Sequence, residues 1–107
     1  MFECEVEPHR ETVLIRPIGE LDMTTVDQFA STLGEITTGG FGRVVLDLRE
    51  LTFVDSSGLR ALLEVQGIAA RRSSLQIIPG PEPVQRIFHV TGLVDRLPFV
   101  GTPDALR

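Results

Sequence analysis

The run from Arg43 to Leu48, RVVLDL, constrains the fold more than any other segment of this sequence. It is short and too apolar to have a wet face, which is typical of a parallel strand covered on both sides. Apolar residues recur at helical spacing before it, from Val26 to Ile36, and after it, from Leu59 to Ile68. We therefore expect the run to be the central strand of a sheet that is packed against helices.

The rest of the chain also alternates between strand and helix signals. Phe2 to Val6 alternates apolar and acidic residues, and Thr12 to Ile18 is largely β-branched, which together predict an antiparallel hairpin. Gly19 to Asp22 is expected to break the second strand, and Arg49 to Asp55 to be a connection. The other predicted elements are a strand at Leu75 to Ile78, a helix opened by Pro79 to Pro83 and closed by Gly92, and a short strand at Leu97 to Val100.

These elements define the fold class and the number of domains. Strands that alternate with helices after an initial hairpin imply right-handed crossovers, and hence an α/β domain with a mostly parallel sheet and an antiparallel N-terminal edge strand. The 107 residues fit one domain, 1–107, whose last helix, barely begun at Thr102, is cut short. Thr25 and Gln28 predict a capping box at the start of the first helix, which Gly39 and Gly40 would end.

Composition excludes several classes of function. A net charge of −5 with no basic stripe argues against nucleic acid as a partner, and the absence of lysine rules out lysine chemistry. One cysteine, Cys4, and two distant histidines, His9 and His89, do not have the spacing of metal ligands, so we expect no metal and no cofactor. Without an apolar stretch long enough to span a bilayer or an export leader, the chain reads as cytoplasmic with no membrane partner.

The informative segment is Leu51 to Leu63, LTFVDSSGLRALL, where an apolar strand-like run meets Asp-Ser-Ser-Gly and then an apolar helix. The carboxyl ends of parallel strands gather at one sheet edge with the starts of the following helices, so Gly19 to Asp22 should lie beside Asp55 to Gly58. From local chemistry alone, the two serines could simply cap a helix, and Glu20 and Asp22 could be solvated turn residues. If Ser56 caps the helix, however, Ser57 is left free to point to solvent as a phosphoacceptor. Asp47 is interpreted as structural.

Three motifs occur together in this chain: VVLDLxxLTFVDSSGL, GELD at Gly19 to Asp22, and VTGL at Val90 to Leu93. From about Val13 to Val100 the sequence closely resembles the STAS-domain anti-sigma factor antagonists. The resemblance implies that Ser57 is phosphorylated by an anti-sigma factor serine kinase, which the unphosphorylated form binds, so that the sigma factor is released. It also implies a phosphatase that acts on phospho-Ser57 and so restores the unphosphorylated form, which binds the partner. The implied partner-binding residues are Glu20, Asp22, Asp55, Ser56, Gly58 and Arg60.

A phosphate on Ser57 would lie beside the positive end of a helix, so we expect the fold to tolerate it and the partner surface to be blocked. Arg60, which replaces a small residue of some relatives, is placed at i+3 to pair weakly with that phosphate. The protein is expected not to be an enzyme, because no G-x-S-x-G elbow supports a serine hydrolase. An alternative that the sequence leaves open is a STAS regulatory subunit of a transporter or stress-signalling complex.

Overall fold

The computed structural model describes residues 1–37, 41–72 and 74–100, and shows one five-stranded sheet with helices packed against it. Its elements in chain order are β1 (Phe2–His9), β2 (Thr12–Leu21), α1 (Val26–Thr37), β3 (Arg43–Asp47), β4 (Leu51–Val54), α2 (Ser56–Arg72), β5 (Ser74–Ile78) and α3 (Glu82–Val90), followed by a single 3₁₀ turn at Leu93–Asp95.

The sheet has the predicted topology. The strand order is β1-β2-β3-β5, with β4 paired to the far end of β2. β1 is antiparallel to β2 and all other pairs are parallel, with Val13 opposite Val44 and Leu46 opposite Ile77. The expected α/β class, with an antiparallel edge strand at the N-terminus, is therefore confirmed. β3 lies between β2 and β5, as predicted for RVVLDL, and Val44 to Leu48 are buried throughout.

β2 is longer than the sequence predicted, because Gly19 to Leu21 remain in the strand instead of breaking it. Gly19 has a φ of +101°, and a Cβ there would lie only 2.2 Å from the carbonyl oxygen of Met1. Glycine is therefore required at this position. The register shifts at this residue, and β2 exchanges β3 for β4 as its parallel neighbour. The register shift thus lets β2 pair with β3 along one part of its length and with β4 along the other.

Two further predictions of local structure were wrong. The segment Leu51–Val54, expected to be part of a connection, is a strand paired with β2. Residues 97–100, expected to be a strand, form only a single bridge between Phe99 and Ile77. Gly39, Gly40 and the final helix predicted to begin at Thr102 lie outside the described residues.

The main core lies between the sheet and the helices, and the helix faces predicted from periodicity supply its helical side. Phe29, Leu62 and Phe88 are each at most 2% exposed. Ala30, which the periodicity placed on the same face, is exposed instead. The main cluster also contains, among others, Ile15, Leu21, Leu33, Leu46, Leu51, Val65 and Val84, while a smaller cluster on the other side of the sheet is formed by Leu14, Val45 and Ile78.

Candidate functional site

The carboxyl ends of β2 and β4 meet the starts of α1 and α2 at one edge of the sheet. The N–H of Asp55 donates to the carbonyl oxygen of Leu21 at 3.3 Å, and the N–H of Met23 donates to Asp55 Oδ2 at 3.2 Å. The structure therefore brings together the two segments that the sequence predicted to adjoin. We call this place the serine corner and define it by residues 20–25 and 55–58.

Asp55, not Ser56, caps helix α2, so the predicted division of labour between the two serines was wrong. Asp55 Oδ1 accepts a hydrogen bond of 2.9 Å from the N–H of Gly58, and its carbonyl oxygen accepts one of 2.9 Å from Leu59. Aspartate caps a helix as well as serine does, and it precedes the serines in the chain. Helix α2 consequently begins at Ser56, one residue earlier than a serine cap would allow.

Both serine hydroxyls are thereby released from capping. Ser56 is exposed and Ser57 is half-buried, at the first and second positions of the helix. Neither hydroxyl forms a hydrogen bond with another residue in the described part of the chain. At the second helical position, Ser57 stands beside the backbone N–H groups that give the start of a helix its partial positive charge.

Gly58 is buried where helix α2 crosses the end of β2. A Cβ at this position would lie 2.2 Å from the carbonyl oxygen of Leu21 and 3.0 Å from its carbonyl carbon. Backbone atoms cannot give way as a side chain can, so only glycine lets the helix approach this closely. Gly58, implied by the resemblance to bind the partner, therefore has a structural role in holding Ser57 at the sheet edge.

The turn before α1 is built around Asp22, and it does not contain the capping box predicted for Thr25 and Gln28. The hydroxyl of Thr25 accepts a hydrogen bond from the N–H of Asp22 and donates to the carbonyl oxygen of Glu20. The hydroxyl of Thr24, and then its N–H, donate to Asp22 Oδ1 at 2.6 and 2.8 Å, which lowers the pKa of that carboxyl. This carboxylate-centred turn was signalled in the sequence by Asp22 followed by two threonines.

The remaining predicted site residues have free side chains. Glu20 and Arg60 are exposed, and neither forms an ion pair with a residue that the structure describes. The acidic groups at the serine corner therefore differ in what they offer a partner. The carboxylates of Asp22 and Asp55 already accept backbone hydrogen bonds, whereas that of Glu20 remains available.

Asp47, interpreted as structural, is fully buried at the end of β3. Its carboxylate accepts hydrogen bonds from the side chain and N–H of Arg49 and from Nε of Arg16, at 2.9 to 3.1 Å. Burial acts against the charged form, but the hydrogen bonds from Arg49 and Arg16 outweigh it and hold the pKa of Asp47 below its ordinary value. The network anchors the turn that leads into β4 and the serine corner.

No other reactive group belongs to this site. Within the described residues, no three His, Cys, Asp or Glu side chains are grouped so that they could hold a metal ion. Cys4 is half-buried in β1, where burial raises the pKa of its thiol to about 11. None of the described helices is long and apolar enough to cross a bilayer.

The fold and the serine corner together define a small α/β domain that presents a serine hydroxyl at a helix start beside an acidic turn. The family model described as "Mlab, STAS domain" matches residues 4–101 of the chain. An anti-sigma F factor antagonist of Paenibacillus polymyxa is 32% identical over 100 residues, which cover 92% of this chain and 86% of the relative. The chain therefore belongs to the STAS domain family, and the resemblance noted in the sequence is confirmed.

Solved structures show the same fold. An anti-sigma factor antagonist from Mycobacterium paratuberculosis superposes with a TM-score of 0.87 at 24% identity, covering 98% of this chain and 90% of that one. The Bacillus cell fate determinant SpoIIAA, in its phosphorylated form, superposes with a TM-score of 0.70 at 25% identity, covering 99% and 96% of the two chains.

Proposed function

We propose that the protein is an anti-sigma factor antagonist that is switched by phosphorylation of Ser57. The unphosphorylated form binds an anti-sigma factor kinase in the cytoplasm and so releases the sigma factor, and a phosphatase reverses the modification. The protein acts as a regulator and not as an enzyme. The observation that carries the proposal is Ser57, half-buried at the start of α2, with its hydroxyl freed from capping by Asp55.

The relatives support this assignment. The relative from Paenibacillus polymyxa is named an anti-sigma F factor antagonist, and the Bacillus relative has been solved in a phosphorylated form. Both align with nearly the whole of this chain, including the serine corner.

Electrostatics explain how a phosphate could switch binding without unfolding the domain. A phosphoserine adds about −1.5 to −2 charges, which the start of a helix accommodates favourably. The same dianion would lie near Asp55, Asp22 and Glu20, so it would make the corner strongly negative. The phosphate is also too bulky to fit an interface that is shaped for a hydroxyl. We therefore infer that release of the partner comes from repulsion and bulk at the interface.

Phosphate mapping tests the proposal. The partner is recovered from lysate of the source cells on immobilised protein, identified by mass spectrometry and purified. We expect an ATP-binding anti-sigma factor that, with Mg-ATP, adds one phosphate, and peptide mass spectrometry should place it on Ser57. The Ser57→Ala variant should accept none, while the matched Ser56→Ala variant should still be modified on Ser57. A phosphate mainly on Ser56 would overturn the choice of acceptor, and recovery of transporter subunits would favour the transporter alternative.

A charge at Ser57 should weaken binding while leaving the fold intact. We expect Ser57→Asp to raise the Kd for the purified partner about tenfold or more, because the carboxylate lies on the surface that the partner must desolvate. A carboxylate at a helix start stabilises the helix by roughly 0.3–1 kcal/mol, so the melting temperature should not fall.

Ser56→Asp is the matched control, since it puts the same charge at the same helix start. Titration calorimetry and thermal melts measure both quantities for each variant. Equal affinities for wild type and Ser57→Asp would contradict the interface mechanism. An equal loss of affinity in Ser56→Asp would mean that general charge, and not the position of Ser57, controls binding.

A further inference from the structure

Two large apolar side chains are exposed at the serine corner, one within it and one on the adjoining strand β4. Met23, in the turn before α1, is 71% exposed, and Phe53, on β4, is 49% exposed. The other large apolar side chains exposed in the described residues lie on different elements and are Met1, Val6 and Val90. Exposed apolar groups that cluster at a polar site are typical of a surface that another protein covers.

Contacts at the end of β4 bring the residues that carry these two side chains close together. Phe53 is two residues before Asp55, which follows β4 directly and caps α2. Asp55 Oδ2 accepts the hydrogen bond from the N–H of Met23, which brings the turn before α1 against the end of β4. Phe53 is also the register partner of Glu20, whose exposed carboxylate has no ion-pair partner among the described residues. We name Glu20, Met23 and Phe53 the anchor patch.

We propose that the anchor patch is where the anti-sigma factor docks, with an apolar pocket for Phe53 and Met23 and a basic side chain opposite Glu20. This inference rests on the proposed function and names the chemistry of its partner. Aromatic side chains that become buried at an interface supply a large share of binding energy, and an unpaired rim carboxylate selects a positively charged neighbour. Asp55, whose carboxylate the N–H of Met23 contacts, is two residues before Ser57 along the chain, so a partner docked on the patch would lie near the hydroxyl.

The charge of the corner argues against a second copy of this chain as the occupant. Glu20, Asp22 and Asp55 would meet the same three acids of the other copy across a two-fold axis. Like charges brought together in this way cost binding energy. The one predicted site residue with a positive charge, Arg60, is five residues beyond Asp55 along the chain, more than one helical turn from that acid.

A matched pair of strand variants tests the inference. Phe53→Thr removes the aromatic anchor, and Val6→Thr introduces threonine in place of another exposed apolar side chain, on β1. Phe2, at the start of β1, is opposite Gly19 near the serine corner, whereas Val6 is opposite Ile15. Val6 is four residues further along β1, or about 13 Å from Phe2, and so lies away from the corner. The purified anti-sigma factor kinase is titrated against each variant, and the kinetics of Ser57 phosphorylation are followed with Mg-ATP.

We expect Phe53→Thr to raise Kd about tenfold or more, with Met23→Ser weaker in the same direction. The KM for phosphorylation should rise while kcat stays unchanged, because docking is lost and the chemistry at Ser57 is not. Val6→Thr should match the wild type. Glu20→Gln should reduce the salt dependence of binding if a basic side chain faces it. Unchanged melting temperatures would show that each variant remains folded.

The outcomes separate this inference from the proposed function. If the wild type binds and is phosphorylated by the kinase, and Phe53→Thr behaves identically, the anchor patch is overturned and the proposed function stands. If the wild type neither binds nor is phosphorylated, both fail. Self-association of the wild type that Phe53→Thr abolishes in sedimentation would assign the patch to a second copy and would also overturn the inference.

Discussion

Replacing Gly58 by alanine should lower the free energy of unfolding by about 3 kcal/mol, because the new methyl group overlaps backbone and not a movable side chain. The ideal Cβ lies 2.2 Å from the carbonyl oxygen of Leu21. That carbonyl cannot retreat easily, since it accepts the N–H of Asp55 and its residue is fully buried in the main core. Helix α2 would have to tilt away from β2, and the packing of Leu59 and Leu62 would loosen with it.

The same helix offers a control for this prediction. A Cβ at Gly67 meets nothing within 4 Å, so Gly67→Ala should stabilise the protein by about 0.4–1 kcal/mol through the unfolded chain. Urea unfolding midpoints of the two variants, compared with the wild type, measure both effects. Similar midpoints for Gly58→Ala and Gly67→Ala would mean that α2 does not approach β2 closely at its start.

Close packing at Gly58 also bears on function, because this residue adjoins Ser57. A helix that tilts away from the sheet carries the Ser57 hydroxyl away from Asp22 and Glu20. Loss of partner binding in Gly58→Ala would therefore report displacement of the site, and it should accompany the loss of stability. In Ser57→Asp, by contrast, binding should be lost without a loss of stability. The two variants therefore distinguish a damaged fold from a blocked surface.

The sequence predicted the fold class because its signals were periodic. Apolar residues at helical spacing identified α1 and α2, and the short apolar run around Val44 to Leu46 identified β3. β4 gave only a weak signal, since its run LTFV is apolar and strand-like but has just four residues and no alternating pattern. The full length of β2 was hidden because a positive φ at Gly19 allows a strand to continue through a residue that usually ends one.

The location of the site was predictable, but the roles of its residues were not. Topology alone gathers the carboxyl ends of parallel strands, and this placed the acidic turn beside the serines. Asp55, Ser56 and Ser57 are all good capping residues, so local chemistry could not decide which one caps. The anchor patch was missed for a similar reason. Whether Met23 and Phe53 are buried or exposed depends on tertiary packing, and their hydrophobicity alone favoured burial.

The ion-pair network around Asp47 should be a second large source of stability. We expect Asp47→Ala to lower the free energy of unfolding at pH 7 by about 3 kcal/mol, the lower end of the range for breaking a buried pair. The lower end applies because Arg16 and Arg49, whose side chains are 22% and 44% exposed, can regain water when the carboxylate is lost. Glu7→Ala is the control, since its ion pair with Arg16 is exposed and should contribute less than about 1 kcal/mol.

The effect of Asp47 should depend on pH in one direction. Its pKa in the folded protein is lowered, because hydrogen bonds from Arg49 and Arg16 outweigh the cost of burial, whereas an unfolded aspartate titrates near its ordinary value of about 3.9. The stabilisation is therefore complete above that value and is lost as the pH falls towards the folded pKa.

Urea midpoints of wild type and Asp47→Ala should differ by a constant amount between about pH 5 and 7 and converge below about pH 4. Taking the difference between the two proteins removes the contribution of the other carboxylates, including Asp22. A difference that shrinks already between pH 7 and 5 would mean that the folded carboxyl has a raised pKa, and it would contradict the view that the arginines hold Asp47 in its charged form.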